Sequence, residues 1–372
     1  MAYGTVNAEQ MTTQSGYTLG AGNSSTFKNR LLNGQMVIDQ RNAGSAVTIN
    51  DGTPKFPVDR LYCYRDSSFN NSVLTAQQST DVPTSAGFVN SVKFTVTTAE
   101  TSTNAGRFFS IQQKIEGNNV SDLLFGFSSA KTVTLSFWVK SSLTGAFGGS
   151  LMNSAYDRSY PFNYTISSAN TWEQKSITIA GDQSGTWLTN TGIGLRVGWC
   201  LGTGSSYEGT ANQWNSALDF APTSSVQLIN TVNATFYITG TQLEVGSTAT
   251  SFDYRPYPVE FSMCQRYYET YSNGTGTSAI YEGLGGYFAN STTFRTAVPF
   301  KVTKRASPTV SIPTTYTTVN CSAGNLTPSS TGSAFSSPDG ATINCNTSAA
   351  TSGQGGTLGI SSSAPMTISA EL

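Results

Sequence analysis

The sequence predicts an all-β chain: an N-terminal arm, an antiparallel β-sandwich of jelly-roll type, one short linking helix and a small C-terminal β-sandwich. Three observations carry this prediction. Short runs of alternating apolar and polar residues recur from residue 30 onward, with Gly-, Asn- and Ser-rich turns between them. Of 372 residues, 102 are Ser or Thr, alongside 36 Gly, 20 Phe and 17 Tyr. Thr and the aromatics suit strands, while Gly, Ser and Asn suit turns. Only residues 258–271 show a helical period.

Residues 1–29 are polar and rich in Gly, Ser and Thr, with Gly16, Gly20 and Gly22 close together. This composition predicts an arm that docks to a partner or stays mobile. Residues 30–257 read as strand after strand. Leu31–Ile38 opens the domain and Phe56–Tyr64 follows. In Ser91–Thr97, Val92, Phe94 and Val96 share one face. In Phe108–Ile115, Phe109, Ile111 and Ile115 do the same. Lys131–Lys140 alternates most clearly, with Val133, Leu135, Phe137 and Val139 inward and Thr132, Thr134, Ser136 and Lys140 outward. Trp172–Ile179, Gly194–Cys200 and Ala234–Thr239 complete the set. Eight or more such strands without intervening helices predict a sandwich or jelly roll.

Pro258 stands where a helix can start, with Glu260 in its first turn. Cys264, Tyr267, Tyr268 and Tyr271 then fall at i, i+3, i+4 and i+7 and form one apolar stripe. Residues 272–372 hold only seven Lys, Arg, Asp or Glu. Strands are expected at Thr293–Phe300, Thr309–Ile312 and Met366–Leu372, with loops at Ser329–Ser337 and Thr351–Gly356.

Charge is sparse: 11% of residues are charged and the net charge is −1. That excludes a nucleic-acid binder with a basic stripe and a polybasic membrane-surface protein. No run approaches the ~20 apolar residues of a membrane span. With 11% aromatics the chain is not of disordered type. Cys63, Cys200, Cys264, Cys321 and Cys345 are odd in number and lack metal-knuckle spacing. They read as buried free thiols, with Cys321 and Cys345 the one pair that could join if their strands meet. Met1-Ala-Tyr-Gly starts no signal peptide.

Histidine is absent, which removes Ser-His-Asp, Cys-His and His-based metal templates. Phosphate-binding Gly-rich motifs are missing too. A glycosidase would need only two carboxylates, and Asp59, Glu116, Asp157, Glu173 and Glu208 could supply them. No cofactor is expected. A calcium ion could use Asp39, Asp51 or Asp253, and Asp59 and Arg60 read more simply as an ion pair or a turn-stabilising carboxylate.

Asn29–Asn42, Val58-Asp-Arg-Leu61, Leu135–Ser141, Asn170-Thr-Trp-Glu173, Ile238–Tyr257, Glu260–Tyr268 and Ala306-Ser-Pro-Thr-Val310 occur in that order. Together they resemble a recurrent module of bacteriophage tail fibres and other virion appendages, in which a carbohydrate-binding-like jelly roll precedes a small C-terminal β domain. At position 61 Leu stands where that module is expected to have Trp. The resemblance implies a virion protein, assembled in the host cytoplasm and generally oligomeric, most often a homotrimer. It implies a tail-fibre or receptor-binding subunit that holds host surface polysaccharide without catalysis, with other virion proteins attached through the arm. A purely structural head or neck fibre and a glycan depolymerase are the alternatives.

Sugar binding needs aromatic faces for the pyranose and polar groups for its hydroxyls. Trp187, Trp199, Tyr207 and Trp214 lie in the loop-rich stretch Gly181–Ala221, and Tyr156, Asp157, Arg158 and Tyr160 form a second cluster. These are the candidate ligand residues, whereas Trp138 and Trp172 read as structural. On the helix, Arg266, Tyr267 and Tyr268, with Glu260 and Glu269, are candidates for an oligomer or interdomain seam.

Overall fold

A computed structural model describes residues 10–12, 18–20, 27–66, 71–84, 86–101, 104–273, 283–315, 317–348 and 350–372. They fall into two compact units, one running to Tyr257 and including Leu372, the other Pro258–Glu371. Most of the predicted arm lies outside the described residues. Within it Gln10–Thr12 pairs antiparallel with Thr18–Gly20.

The first unit contains eleven longer strands: β1 (Val47–Ile49), β2 (Tyr62–Arg65), β3 (Val73–Ser79), β4 (Ser91–Thr98), β5 (Phe108–Glu116), β6 (Val133–Ser141), β7 (Gly145–Met152), β8 (Ser159–Ile166), β9 (Glu173–Ile179), β10 (Ile193–Thr203) and β11 (Thr235–Val245). They form a five-stranded sheet, β8-β7-β10-β5-β2, and a six-stranded sheet, β9-β6-β11-β4-β3-β1. Every neighbouring pair in these sheets is antiparallel. The predicted inward sets are fully buried: Val92, Phe94 and Val96 on β4, and Val133, Leu135, Phe137 and Val139 on β6. Aromatic contacts join the sheets, with Phe137 edge-on to Trp199 at 5.5 Å and Phe147 6.0 Å from Phe236. The chain is an all-β sandwich, as its alternation dictates.

Leu31–Ile38 corrects one expectation. Leu31, Leu32, Met36 and Ile38 are buried, yet the segment is irregular, with positive φ at Asn33 (54°) and Met36 (59°). Asn33 replaces the missing ladder: Nδ2 donates to the Ile38 and Asp59 carbonyls, and Oδ1 accepts from Ile38 N. Apolar content alone therefore mimicked a strand. Asn29 also ties the entry of the chain to β11, since its Oδ1 accepts from the amides of Leu31 and Leu243.

The helix is also corrected. It spans Tyr257–Gln265, six residues short of the predicted end. Arg266, Tyr267 and Tyr268 lie beyond it, so they form no helical seam. Tyr267 is 1% exposed and its carbonyl accepts from Ala370 N. Tyr268 opens β12 (Tyr268–Tyr271), opposite Ser369. An aromatic run suits a pleated strand better than a helix, and its i, i+3, i+4 spacing was coincidental.

The second unit continues with β13 (Leu284–Phe288), β14 (Thr293–Pro299), β15 (Thr309–Ser311), β16 (Thr317–Cys321), β17 (Gly324–Leu326), β18 (Ser330–Ser337), β19 (Gly340–Asn346), β20 (Gly355–Ile360) and β21 (Met366–Ser369). A three-stranded sheet, β12-β21-β15, and a seven-stranded sheet, β17-β16-β20-β13-β14-β19-β18, enclose a core of Phe288, Phe294, Val319, Ile343, Leu358 and Ile368. The predicted loop Ser329–Ser337 is instead the edge strand β18, a polar strand invisible to apolar periodicity. Thr351–Gly356 likewise runs into β20 at Gly355. Cys321 on β16 and Cys345 on β19 form no disulfide, and neither do the other three cysteines.

Candidate functional site

The predicted tryptophan cluster is mostly internal architecture. Trp199 follows the parity of β10: Leu195, Val197, Trp199 and Leu201 face the core, and Trp199 is 1% exposed. It has no free face for a ligand, which corrects its assignment as a ligand residue. Tyr160, 6% exposed, packs edge-on to Trp214 at 5.3 Å. Trp187 and Trp214 meet at 5.5 Å, and Phe125 closes against both. Their indole N–H groups donate to the Ser184 carbonyl (3.0 Å) and the Ala180 carbonyl (2.7 Å). Arg158 forks onto buried Asp182 with two 2.7 Å bonds and also donates to Ser216. Asp157 accepts from Asn153 within its own turn. The crevice beside Phe125 and Trp187 has a volume of about 20 Å³, room for one water rather than a sugar.

The opposite parity builds a different surface. Strand register aligns Tyr62 of β2, Gln112 of β5, Gly198 of β10 and Ser150 of β7 in one row on the outer side of the five-stranded sheet. The neighbouring rows hold Tyr64, Ser110 and Cys200, and Lys114 with Arg196. Part of this face is covered by the segment around Tyr207 and Phe220. Phe108 stacks on Phe220 at 4.1 Å, and Tyr207 meets both rings edge-on. Gly148 allows this approach, because a Cβ there would come within 2.9 Å of Pro222 and Ala221 side chains.

Beyond that cover stand Tyr62 and Tyr64, stacked at 6.1 Å and 13°. Tyr156 reaches the same place from the β7–β8 turn. Its left-handed backbone, φ 61°, is uncommon for an aromatic residue. Asn153 secures it: Oδ1 accepts from the amides of Asp157 and Arg158, and its own amide donates to the Arg158 carbonyl. Burial raises the pKa of the Tyr62 and Tyr156 phenols, so both rings are neutral over ordinary pH.

Arg196 lies against the Tyr156 ring. It is 6% exposed, with its guanidinium 4.1 Å from the Tyr156 centroid. Its Nε is buried without a hydrogen-bond partner, and among the described residues no carboxylate pairs with it. Desolvation pulls its pKa down, offset in part by Tyr156 and Tyr62. A cation–π contact contributes about 2 kcal/mol when desolvated, while burying a charge costs several kcal/mol. Neighbouring Gln112 is 2% exposed, and its Oε1 also lacks a partner while its amide donates to Ser110. Lys114 is already engaged: Nζ lies 3.9 Å over Tyr62 and donates to the Leu372 carbonyl at 2.6 Å. The face thus presents ring surfaces beside a charged fork and an amide with hydrogen-bonding capacity to spare.

Of the predicted residues, Tyr156 reaches this face and Tyr207 edges its cover. Tyr62, Tyr64, Gln112 and Arg196 were missed, although parity along Tyr62–Tyr64 and Leu195–Cys200 separates them from the core. Among the described residues no three acidic or thiol side chains converge on a metal position. Asp39 accepts from the amides of Arg41, Asn42 and Gly44, and Asp51 accepts from Thr53. Asp253 accepts from Asn29 N. Asp59 accepts from Gln40 and pairs with Arg41 at 3.7 Å, which matches the ion-pair reading.

No protein-family model and no curated protein matches the sequence. Among solved structures the chain is similar to the enzymatically active domain of bacteriophage CBA120 tailspike protein 4, at 14% identity and TM-score 0.31 over 60% of this chain. The chain covers only 22% of that one. It is also similar to a CBM4 structure (13% identity, TM-score 0.27, 57% of this chain and 98% of that one). A third is the family 11 carbohydrate-binding module of the cellulase Lic26A-Cel5E of Clostridium thermocellum (11% identity, TM-score 0.28, 56% and 99%).

Proposed function

We propose that this chain is a non-catalytic glycan-binding protein whose first unit holds surface polysaccharide on the outer face of the five-stranded sheet. The observation that carries this reading is the juxtaposition of Tyr62, Tyr64 and Tyr156 with buried Gln112, whose Oε1 is unpartnered. Tyrosine rings present rigid amphipathic surface at low entropic cost. A buried amide with spare capacity rewards a ligand that completes its hydrogen bonds.

The ordered resemblance of Asn29–Asn42, Leu135–Ser141 and Ile238–Tyr257 to phage appendage modules supports placing the protein on a virion as a homotrimeric tail-fibre or receptor-binding subunit. Three copies would add avidity on a repeating polymer without new contacts. Glu208 faces this side of the sheet, with its carboxyl pKa raised by burial; a hydrolase would need a second carboxylate placed across a sugar bond.

The test is an array of bacterial surface polysaccharides probed with the purified protein and with Tyr62→Ala/Tyr156→Ala. Selective binding that the double variant loses, at unchanged thermal midpoint, supports the reading. Binding to no glycan by a folded oligomer points to a structural fibre, and release of reducing ends points to a depolymerase. Native mass spectrometry of the same sample reads the oligomeric state.

A further inference from the structure

The glycan face carries an unanswered positive charge. Arg196 is 6% exposed, bonds to no carboxylate and makes no hydrogen bond through Nε among the described residues. The protein-side contact it does make is the face of Tyr156. Its row neighbour Lys114 is held by Tyr62 and Leu372, so it does not serve as a second free cation. Buried charges in folded proteins are ordinarily paired. A guanidinium fork left open against the Tyr156 ring and near Tyr62 matches a planar, two-oxygen anion, because its parallel N–H groups fit a carboxylate in bidentate geometry.

We infer that the ligand of this face is an acidic polysaccharide, and that Arg196 receives the carboxylate of one uronic- or ulosonic-acid residue while Tyr62 and Tyr156 hold the ring planes. This rests on the glycan-binding reading above and narrows it to a substrate class. The acidic group binds inside the face rather than on its rim. Its attraction is therefore weakly screened by salt, unlike that of surface lysines.

The same position makes an independent prediction about the free protein. An uncompensated buried charge is destabilising, and an apolar replacement of similar length relieves it. Arg196→Met is then at least as stable as the wild-type protein, yet selectively impaired in binding. Residues retained at a cost in stability mark function.

The experiment compares oligogalacturonate, sialyllactose and a sulfated carrageenan oligosaccharide with neutral counterparts, including carboxyl-reduced oligogalacturonate. Affinity is measured by calorimetry at 0.05 and 0.3 M salt. The inference expects at least one carboxylated probe to bind tenfold or more tighter than its reduced form, with Arg196→Met erasing that difference. Arg196→Lys, which keeps charge but loses the fork, retains only part of the preference. Preference for the sulfated probe alone would assign Arg196 to sulfate and overturn the carboxylate assignment. Equal binding of acidic and neutral probes, or a preference that survives Arg196→Met, overturns the inference while the glycan reading stands. Binding to none of the probes by a folded protein contradicts both.

Discussion

The guanidinium carbon of Arg196 stands 4.1 Å from the centroid of the Tyr156 ring, on the side of the five-stranded sheet that faces away from the core. Tyr156 is brought there by a turn that Asn153 holds in a left-handed conformation. Asn153→Ala releases four side-chain hydrogen bonds and the turn with them. It should lower glycan affinity about tenfold without touching a ligand, since each tenfold corresponds to ~1.4 kcal/mol. Titration of the strongest array ligand checks this, and Tyr156→Ala should match it in size.

Trp199 supports the fold, not the ligand. Trp199→Ala opens a cavity against Phe137 and should cost about 3–5 kcal/mol in urea unfolding. Trp214→Phe, which loses one hydrogen bond to Ala180, should cost about 1 kcal/mol and leave glycan affinity unchanged.

The Arg158–Asp182 fork belongs to the same supporting rim. Asp182 is nearly inaccessible, with its side chain 2% exposed, so Arg158→Ala strands a buried carboxylate. A loss of about 3–5 kcal/mol in stability is expected. Differential scanning calorimetry and ligand titration of one sample separate this from any loss of binding.

In the second unit, Lys304 Nζ donates to Glu269 (2.7 Å) and to the carbonyls of Gln265 and Val302. Desolvation lowers the Lys304 pKa from its ordinary 10.5, against the opposing pull of Glu269. Between the folded and unfolded values the unfolded chain binds the proton that the folded one has released. This lysine's contribution to stability therefore rises with pH through that alkaline window. Lys304→Met/Glu269→Gln should remove the rise, seen as the difference between the two proteins' urea midpoints as pH approaches 10.5.

The thiols give a separate test of packing. Burial pushes Cys200 and Cys345 up to about 12 and Cys63 well above its usual value, while Cys264 is fully buried and Cys321 only half-buried. A thiol-disulfide reagent at pH 8 should titrate Cys321 in the native protein, and all five cysteines only after unfolding.

How much was legible in the sequence depended on whether a signal is local. Lys131–Lys140 announced both its strand and its buried face because apolar and polar residues alternate without interruption. Ser330–Ser337 did not, since an edge strand of Ser, Thr and Gly has no apolar face to betray it. Tyr267–Tyr271 satisfied a helical spacing and a strand propensity together, and the pairing of Tyr268 with Ser369, a hundred residues away, decided between them. The candidate site was harder still. Tyr62, Gln112 and Arg196 become neighbours only through the β2–β5 and β5–β10 registers. The density of tryptophan in Gly181–Ala221 drew attention to residues that turn out to pack on one another. Parity was the usable clue: in Leu195-Arg-Val-Gly-Trp199, Trp199 shares a face with Leu195, and Arg196 has to point the other way.

The most direct measurement is backbone amide chemical-shift mapping of the isotope-labelled protein as the strongest array glycan is titrated in. Perturbations centred on Tyr62, Tyr64, Gln112, Arg196, Gly198 and the Asn153–Arg158 turn are expected. Perturbations confined to the Trp187–Trp214 rim or to residues 258–371 would contradict binding at this face.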